Sequence, residues 1–160
     1  MPVNDRRDDV ADLLLRVYEI HEVIIAETGG LAGLRDASML HSAVARPFTT
    51  FEGQELYPTD FEKAAALFHS LIKSHPFIDG TKRTAFASAI FFLETCGYTL
   101  PEQFPVNEVV DFCVSIAEEN LRRSGGDEVT VRSISEIAVW LHIAPTAQII
   151  SPPHWPTVIG

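Results

Sequence analysis

Cysteine is scarce in this chain, with two among 160 residues, Cys96 and Cys113. Both sit in apolar stretches of helical period, so a disulfide framework and a zinc site are excluded and two buried thiols are expected. There is also no apolar run near the roughly 18 residues needed to span a bilayer. The N-terminus, MPVNDRRDDVADLLL, lacks the pattern of a signal peptide, because charges flank a short apolar patch on both sides. A cytoplasmic protein with no membrane partner is the expectation. Nor is there an excess of positive charge. The net charge is −10, which argues against direct nucleic-acid binding. Hydrophobic residues at 46% and charged residues at 21% exclude a disordered chain and a fibre.

The charge is unevenly spread. Residues 1–60 carry 11 acids and 5 bases, and residues 101–160 carry 8 acids and 3 bases. Residues 61–100 carry 3 acids and 4 bases, a net of +1 between flanks of −6 and −5. A local anion site in the middle fits this distribution; a broad basic face does not.

Helical periodicity dominates what remains. Asp9–Glu27 aligns Val10, Leu13, Leu14, Val17, Ile20 and Ile24 on one stripe, and Gly29-Gly30 ends it. A short helix fits Asp36–Arg46, with Asp36 as its cap. Residues 47–58, PFTTFEGQELYP, break the period and suit a short hairpin or an ordered loop. Thr59-Asp-Phe-Glu62 reads as a capping box opening the next helix. From Thr81 to Gly97 a segment apolar nearly all round predicts a central, buried helix. Two further helices fit residues from about 105 to before Gly125-Gly126, and Val131–Ile143, the latter with a possible internal capping box at Ser133–Glu136. The expected class is all-α with one hairpin, a domain over 1–144 and a Pro-rich tail over 145–160 draped through Trp155.

The stretch His75–Arg83, HPFIDGTKR, carries the chemistry. Pro76 disfavours helix at His75, and Gly80 opens backbone angles closed to other residues. The stretch runs into a helix N-terminus, where free N–H groups and the dipole favour an anion. Lys82 and Arg83 lie in that first turn, an unfavourable place for cations unless an anion such as phosphate is bound. Asp79 is a hard oxygen donor suited to Mg²⁺ bridging phosphates, and His75 is a base that works near pH 7. Composition alone also permits a plain helix-turn-helix in which Asp79 is a cap and both cations are solvated.

HPFIDGTKRTA resembles the signature of the Fic/Doc superfamily, H-x-F-x-(D/E)-(G/A)-N-(G/K)-R. TGGLAGLRD (28–36), LHSAVARP (40–47), the Tyr57–Leu71 region and FFLETCGY (91–98) are similar to its death-on-curing (Doc) branch. The resemblance implies the Fic fold, a helical bundle with a central buried helix and a β-hairpin flap near 47–58. It implies His75 as catalytic base, Asp79 as the Mg²⁺ ligand, and Gly80, Thr81, Lys82 and Arg83 as the phosphate-binding turn of an ATP site, with Phe77 as a packing anchor. Lys73, two before His75, is a further candidate for phosphate.

Two departures stand out. Thr81 replaces the family's Asn, and Phe86 stands where nucleotidyl-transferring members carry a second Arg. The second departure points to transfer of the γ-phosphate of ATP to a Ser/Thr hydroxyl, with elongation factor Tu as the implied target and inhibited translation as the result. The alternatives are AMP transfer, or a binding module disabled by Thr81. An antitoxin from a neighbouring gene is the implied partner, docking a helix in a groove. Ser115–Asn120 matches the short inhibitory pattern of self-inhibited members, but its Glu119 would lack the second Arg to pair with. His69 and Ser70 read as packing or polar-satisfied residues, His21, His41, His142 and His154, which lack ligand spacing, as structural or exposed, and Arg35-Asp36, which resembles a family-typical pair, as structural, bracing the start of the second helix.

Overall fold

The computed structural model describes residues 6–98 and 134–146. Their elements are α1 (Arg6–Thr28), α2 (Ala37–Ala45), a 3₁₀ turn (Arg46–Phe48), β1 (Thr50–Phe51), β2 (Gln54–Glu55), α3 (Asp60–Ser74), α4 (Thr81–Thr95) and α5 (Ile134–Thr146). The architecture is helical with one two-stranded antiparallel ribbon. The expected helix over 105–125, Cys113, Ser133, Trp155 and the 115–120 pattern lie outside the described residues. The last helix runs through Pro145 to Thr146, two residues into the expected tail. Among the described residues no helix is long and apolar enough to cross a membrane.

The helix caps follow from the sequence. Asp36 has extended backbone and its carboxylate accepts from the amides of Ser38 and Met39, opening α2. The Thr59 hydroxyl accepts from the Glu62 amide, opening α3. The ribbon turns through Glu52 and Gly53, both at positive φ (51° and 79°), which matches the right-handed twist of a two-residue hairpin. Thr50 pairs with Glu55, and Phe51 with Gln54.

The hairpin is tied to α3 by polar contacts. Arg46 donates to Tyr57 Oη (3.2 Å) and to His69 Nδ1 (2.8 Å). Lys63 donates to the Tyr57 carbonyl and lies 3.4 Å from the Glu55 carboxylate. His69, expected to be structural, is part of this brace.

The core forms where the helices meet. As its composition predicts, α4 is buried nearly all round, from Thr84 through Ile90 and again at Phe92 and Leu93. The centre is shared with α3, which packs against α2, α4, α5 and the 3₁₀ turn. Phe68 of α3 meets Phe86 of α4 edge-on, with ring centroids 6.4 Å apart. On α1 the buried line is Leu13, Val17, His21. The expected stripe drifts by one position at its C-terminal end, so that His21 rather than Ile20 turns inward.

Candidate active site

The loop between α3 and α4 is folded against the loop after α1. Pro76 cannot donate an N–H and keeps the preceding residue out of right-handed helix. His75 therefore ends α3 in the left-handed region (φ 48°, ψ 60°), after its amide makes the last helical bond to Leu71. For a non-glycine residue this conformation costs about 1–2 kcal/mol and has to be held by its surroundings.

The hold comes from residues 31–36. Arg35 donates from Nε to the His75 carbonyl (2.7 Å) and from Nη2 to the Ser74 carbonyl (2.7 Å). The amides of Arg35 and Asp36 both reach the Pro76 carbonyl, at 2.7 and 3.2 Å. The Ile78 amide donates to the Gly33 carbonyl (3.1 Å), and Leu34 and Phe77 form an antiparallel bridge. Beneath the loop, Phe77 is fully buried and stacks on His21, with centroids 3.8 Å apart and planes 7° from parallel. His21 Nε2 donates to the Asp79 carbonyl (2.7 Å).

This frame leaves the His75 ring exposed. Its Nδ1 lies 3.2 Å from the Phe77 carbonyl. A carbonyl only accepts, so in the neutral ring that network assigns the proton to Nδ1 and leaves the Nε2 lone pair open. The Thr81 hydroxyl sits 3.4 Å from the same Nδ1. Thr81 is itself buried, so its side chain turns towards the histidine rather than outwards.

Asp79 stands at the mouth of α4. Its Oδ1 accepts from the Gly80 amide (2.8 Å) and its Oδ2 from the Leu31 amide (3.1 Å). These two backbone donors, Leu31 foremost and helped by Arg83, hold its pKa below the ordinary aspartate value. The carboxylate is ionised and remains about half exposed. Gly30 makes the close approach possible: a Cβ there would lie 2.5 Å from Asp79 Oδ2.

Gly80 caps α4 at φ 76° and has no side chain to close the first turn. Thr84 is the first residue of α4 whose amide reaches back to a carbonyl, that of Gly80. The amides of Thr81, Lys82 and Arg83 thus precede the helical ladder, beside the positive end of the dipole.

The cations are placed differently from one another. Lys82 is half-buried in the first turn. The Arg83 guanidinium is committed to the end of α1, donating to the Thr28 hydroxyl and to the Gly29 carbonyl (3.2 Å), with Nη2 3.7 Å from Asp79 Oδ1. Lys73 is in the last turn of α3 with its ammonium shielded from solvent.

His75, Asp79, Gly80 and Thr81 are therefore brought to one place, with Lys82 and Arg83 along its edge. Among the described residues no group of three metal-ligating side chains forms. A lone, ionised, half-exposed carboxylate beside open amides is a hard oxygen donor that fits Mg²⁺ held together with a phosphate group.

Phe86 sits three residues beyond Arg83, 1% exposed and packed on Phe68, so that position faces the core and not the loop. The sequence reading did not assign His21, Arg35, Gly30 or the Leu31 amide to the site. For His21 a signal was present, since it continues the four-residue series Leu13, Val17. For the Arg35 guanidinium there was none, because its targets are backbone carbonyls 39 and 40 residues away.

The Fic/DOC family model matches residues 14–93, which span α1 to α4. Over 89 residues the chain is 43% identical to Toxin Doc of Mycolicibacterium smegmatis, covering 56% of this chain and 68% of that protein. It is 29% identical over 118 residues to Protein kinase doc of Escherichia phage P1, covering 73% of this chain and 83% of that one. On the extent of these matches, and with the matched region enclosing the whole His75–Arg83 loop, the chain belongs to the Fic/DOC family.

Proposed function

We propose that this protein is a Doc-type toxin that transfers the γ-phosphate of ATP to a Ser or Thr hydroxyl of a protein target. The observation that carries the reading is the exposed His75 imidazole, with Nδ1 on a carbonyl and Nε2 open, beside the uncapped start of α4 and the Asp79 carboxylate. The name of the phage P1 relative, a protein kinase, supports the reaction class.

His75 Nε2 takes the proton of the acceptor hydroxyl as that oxygen attacks the γ-phosphorus, the bond from that phosphorus to the β–γ bridging oxygen breaks, and ADP leaves. Nδ1 keeps its proton and its hydrogen bond to the Phe77 carbonyl, which fixes the ring plane and favours the protonated ring that forms. The amides of Thr81, Lys82 and Arg83 face the phosphate oxygens, and the Lys82 ammonium adds charge where the transition state spreads it. Asp79 would hold Mg²⁺, which would supply neutralisation of the phosphate charge when bound. Arg83 contributes from its seat at the end of α1, pinning α1 to the loop. Lys73 adds positive charge in the last turn of α3, two residues before His75.

Burial of Phe86 against Phe68 supports γ-transfer over AMP transfer, because no cation can stand at that position to hold a terminal phosphate pair. Elongation factor Tu is the proposed acceptor and an antitoxin from a neighbouring gene the proposed partner, in keeping with a relative named Toxin Doc.

The test incubates antitoxin-free protein with a bacterial lysate, Mg²⁺ and ATP labelled at the α or the γ phosphate. A band labelled from γ alone, absent with His75→Ala, is the expected result. Label from α overturns γ-transfer in favour of nucleotidyl transfer. No label from either overturns enzymatic function and leaves a binding module.

A further inference from the structure

We propose that Arg35 is a positioning residue that sets the backbone of His75, and with it the aim of the imidazole. One residue takes three successive carbonyls: Ser74 and His75 through the guanidinium, both at 2.7 Å, and Pro76 through its own amide at 2.7 Å. Those carbonyls span the point where α3 ends and the chain reverses into the left-handed angles of His75. The guanidinium is planar, and its Nε and Nη2 donors are fixed relative to each other. Chelating consecutive carbonyls therefore fixes the rotation between residues 74 and 75, which a single hydrogen bond would leave free.

The charge is also well placed, at the negative end of the α3 dipole. Asp36, next in sequence, is spent on the cap of α2 and makes no ion pair with Arg35 among the described contacts. The hydrogen bonds of the guanidinium are thereby left to the carbonyls, with a 3.4 Å contact to Met39 Sδ besides, while Asp36 feels its charge without a hydrogen bond among the described contacts. Arg35 touches neither Asp79 nor α4 in any described contact. Its effect is on the base alone. The proposal rests on His75 being that base.

The experiment compares wild type, Arg35→Met, Arg35→Lys, His75→Ala and Arg35→Met/His75→Ala. One readout is independent of activity: the ¹³Cα and ¹³Cβ NMR shifts of His75, which report its backbone angles. In Arg35→Met these are expected to leave left-handed values, while the shifts of residues 79–83 stay. The second readout is γ-label incorporated into a bacterial lysate over an ATP titration. The maximal rate is expected to fall about tenfold or more, since a misplaced base loses its aim. The apparent KM for ATP is expected to stay within about twofold, as the cradle is untouched. In the His75→Ala background Arg35→Met is expected to add no further loss, because two residues acting through one group are not additive.

Arg35→Lys keeps the charge without the fixed fork and is expected to fall between the two. Unchanged His75 shifts, a KM that rises with the loss of rate, or an additive loss in the double variant each overturn the proposal. Should Arg35→Met fail to fold, an Arg35→Lys variant equal to wild type in both readouts overturns it, and intermediate behaviour upholds it. Full labelling by His75→Ala would instead remove the base reading, and the shift readout would still decide whether Arg35 sets the loop.

Discussion

His21 Nε2 lies 2.7 Å from the carbonyl oxygen of Asp79, so a residue 58 positions upstream fixes the main chain beneath the carboxylate of the site. The same ring is stacked on Phe77, two residues before Asp79. One side chain thus meets the loop both by its face and by its edge. Replacing His21 with Phe keeps a ring against Phe77 but strips the carbonyl of its donor. A loss of about 1–3 kcal/mol is expected in urea unfolding. Gln places an amide donor near the Nε2 position and is expected to recover part of it.

The same histidine gives the stability a pH dependence. Burial, the main cause, holds its proton affinity below that of an ordinary histidine. Arg83 adds to this, while the bond to Asp79 and the charges of Glu22 and Asp79 oppose it. The unfolded chain therefore takes up a proton at a pH where the folded chain refuses it, so stability is full above the ordinary value of 6.5 and falls as pH drops below it. Melting temperatures measured downwards from pH 7 should decline more steeply for wild type than for His21→Gln.

Gly30→Ala should damage the loop without touching it in sequence. Its φ of 116° is foreign to alanine, and the new methyl would meet Asp79 Oδ2. Strain at such a site costs about 1–3 kcal/mol. A fall in melting temperature of several degrees is expected, with a larger loss of labelling than Gly29→Ala, where a Cβ meets nothing within 4 Å.

Phe86→Arg should not create an AMP transferase. The position is sealed against Phe68, so the guanidinium would be an unpaired buried charge. Loss of cooperative thermal unfolding is the expected result. A folded variant that incorporates α-label would show that the helix can turn this position to the loop.

Thr81→Val removes the hydroxyl beside His75 Nδ1 and keeps the buried shape. Stability should stay nearly constant, because an apolar isostere suits a site that is 4% exposed. Labelling should fall by about two- to tenfold, the range of one modest hydrogen bond. Equal labelling would assign the orientation of the ring to the Phe77 carbonyl alone.

The helices among the described residues and the caps of α2 and α3 were legible because their signals are local. Asp36 and Thr59 cap within three residues of themselves, and the apolar period of α4 needs no partner to be seen. The order of His75, Asp79 and Gly80 along one loop was legible for the same reason. What the sequence did not display is the second loop. Gly33, Leu34 and Arg35 act through main-chain bonds to residues 74–78, and such bonds leave no side-chain pattern to read. Arg83 was legible as a cation of the motif turn, but not as a brace on α1. Its direction towards Thr28 and Gly29 depends on where α1 ends in space.

The antiparallel bridge between Leu34 and Phe77 joins pieces that lie on opposite sides of the hairpin turn at Glu52-Gly53. A cut at that exposed turn would leave one fragment with His21, Gly30 and Arg35 and another with His75, Asp79 and the start of α4. Neither piece alone would own a working centre. The activity of the site would then become a property of reassembly, present only where the two halves, made from separate messages, meet.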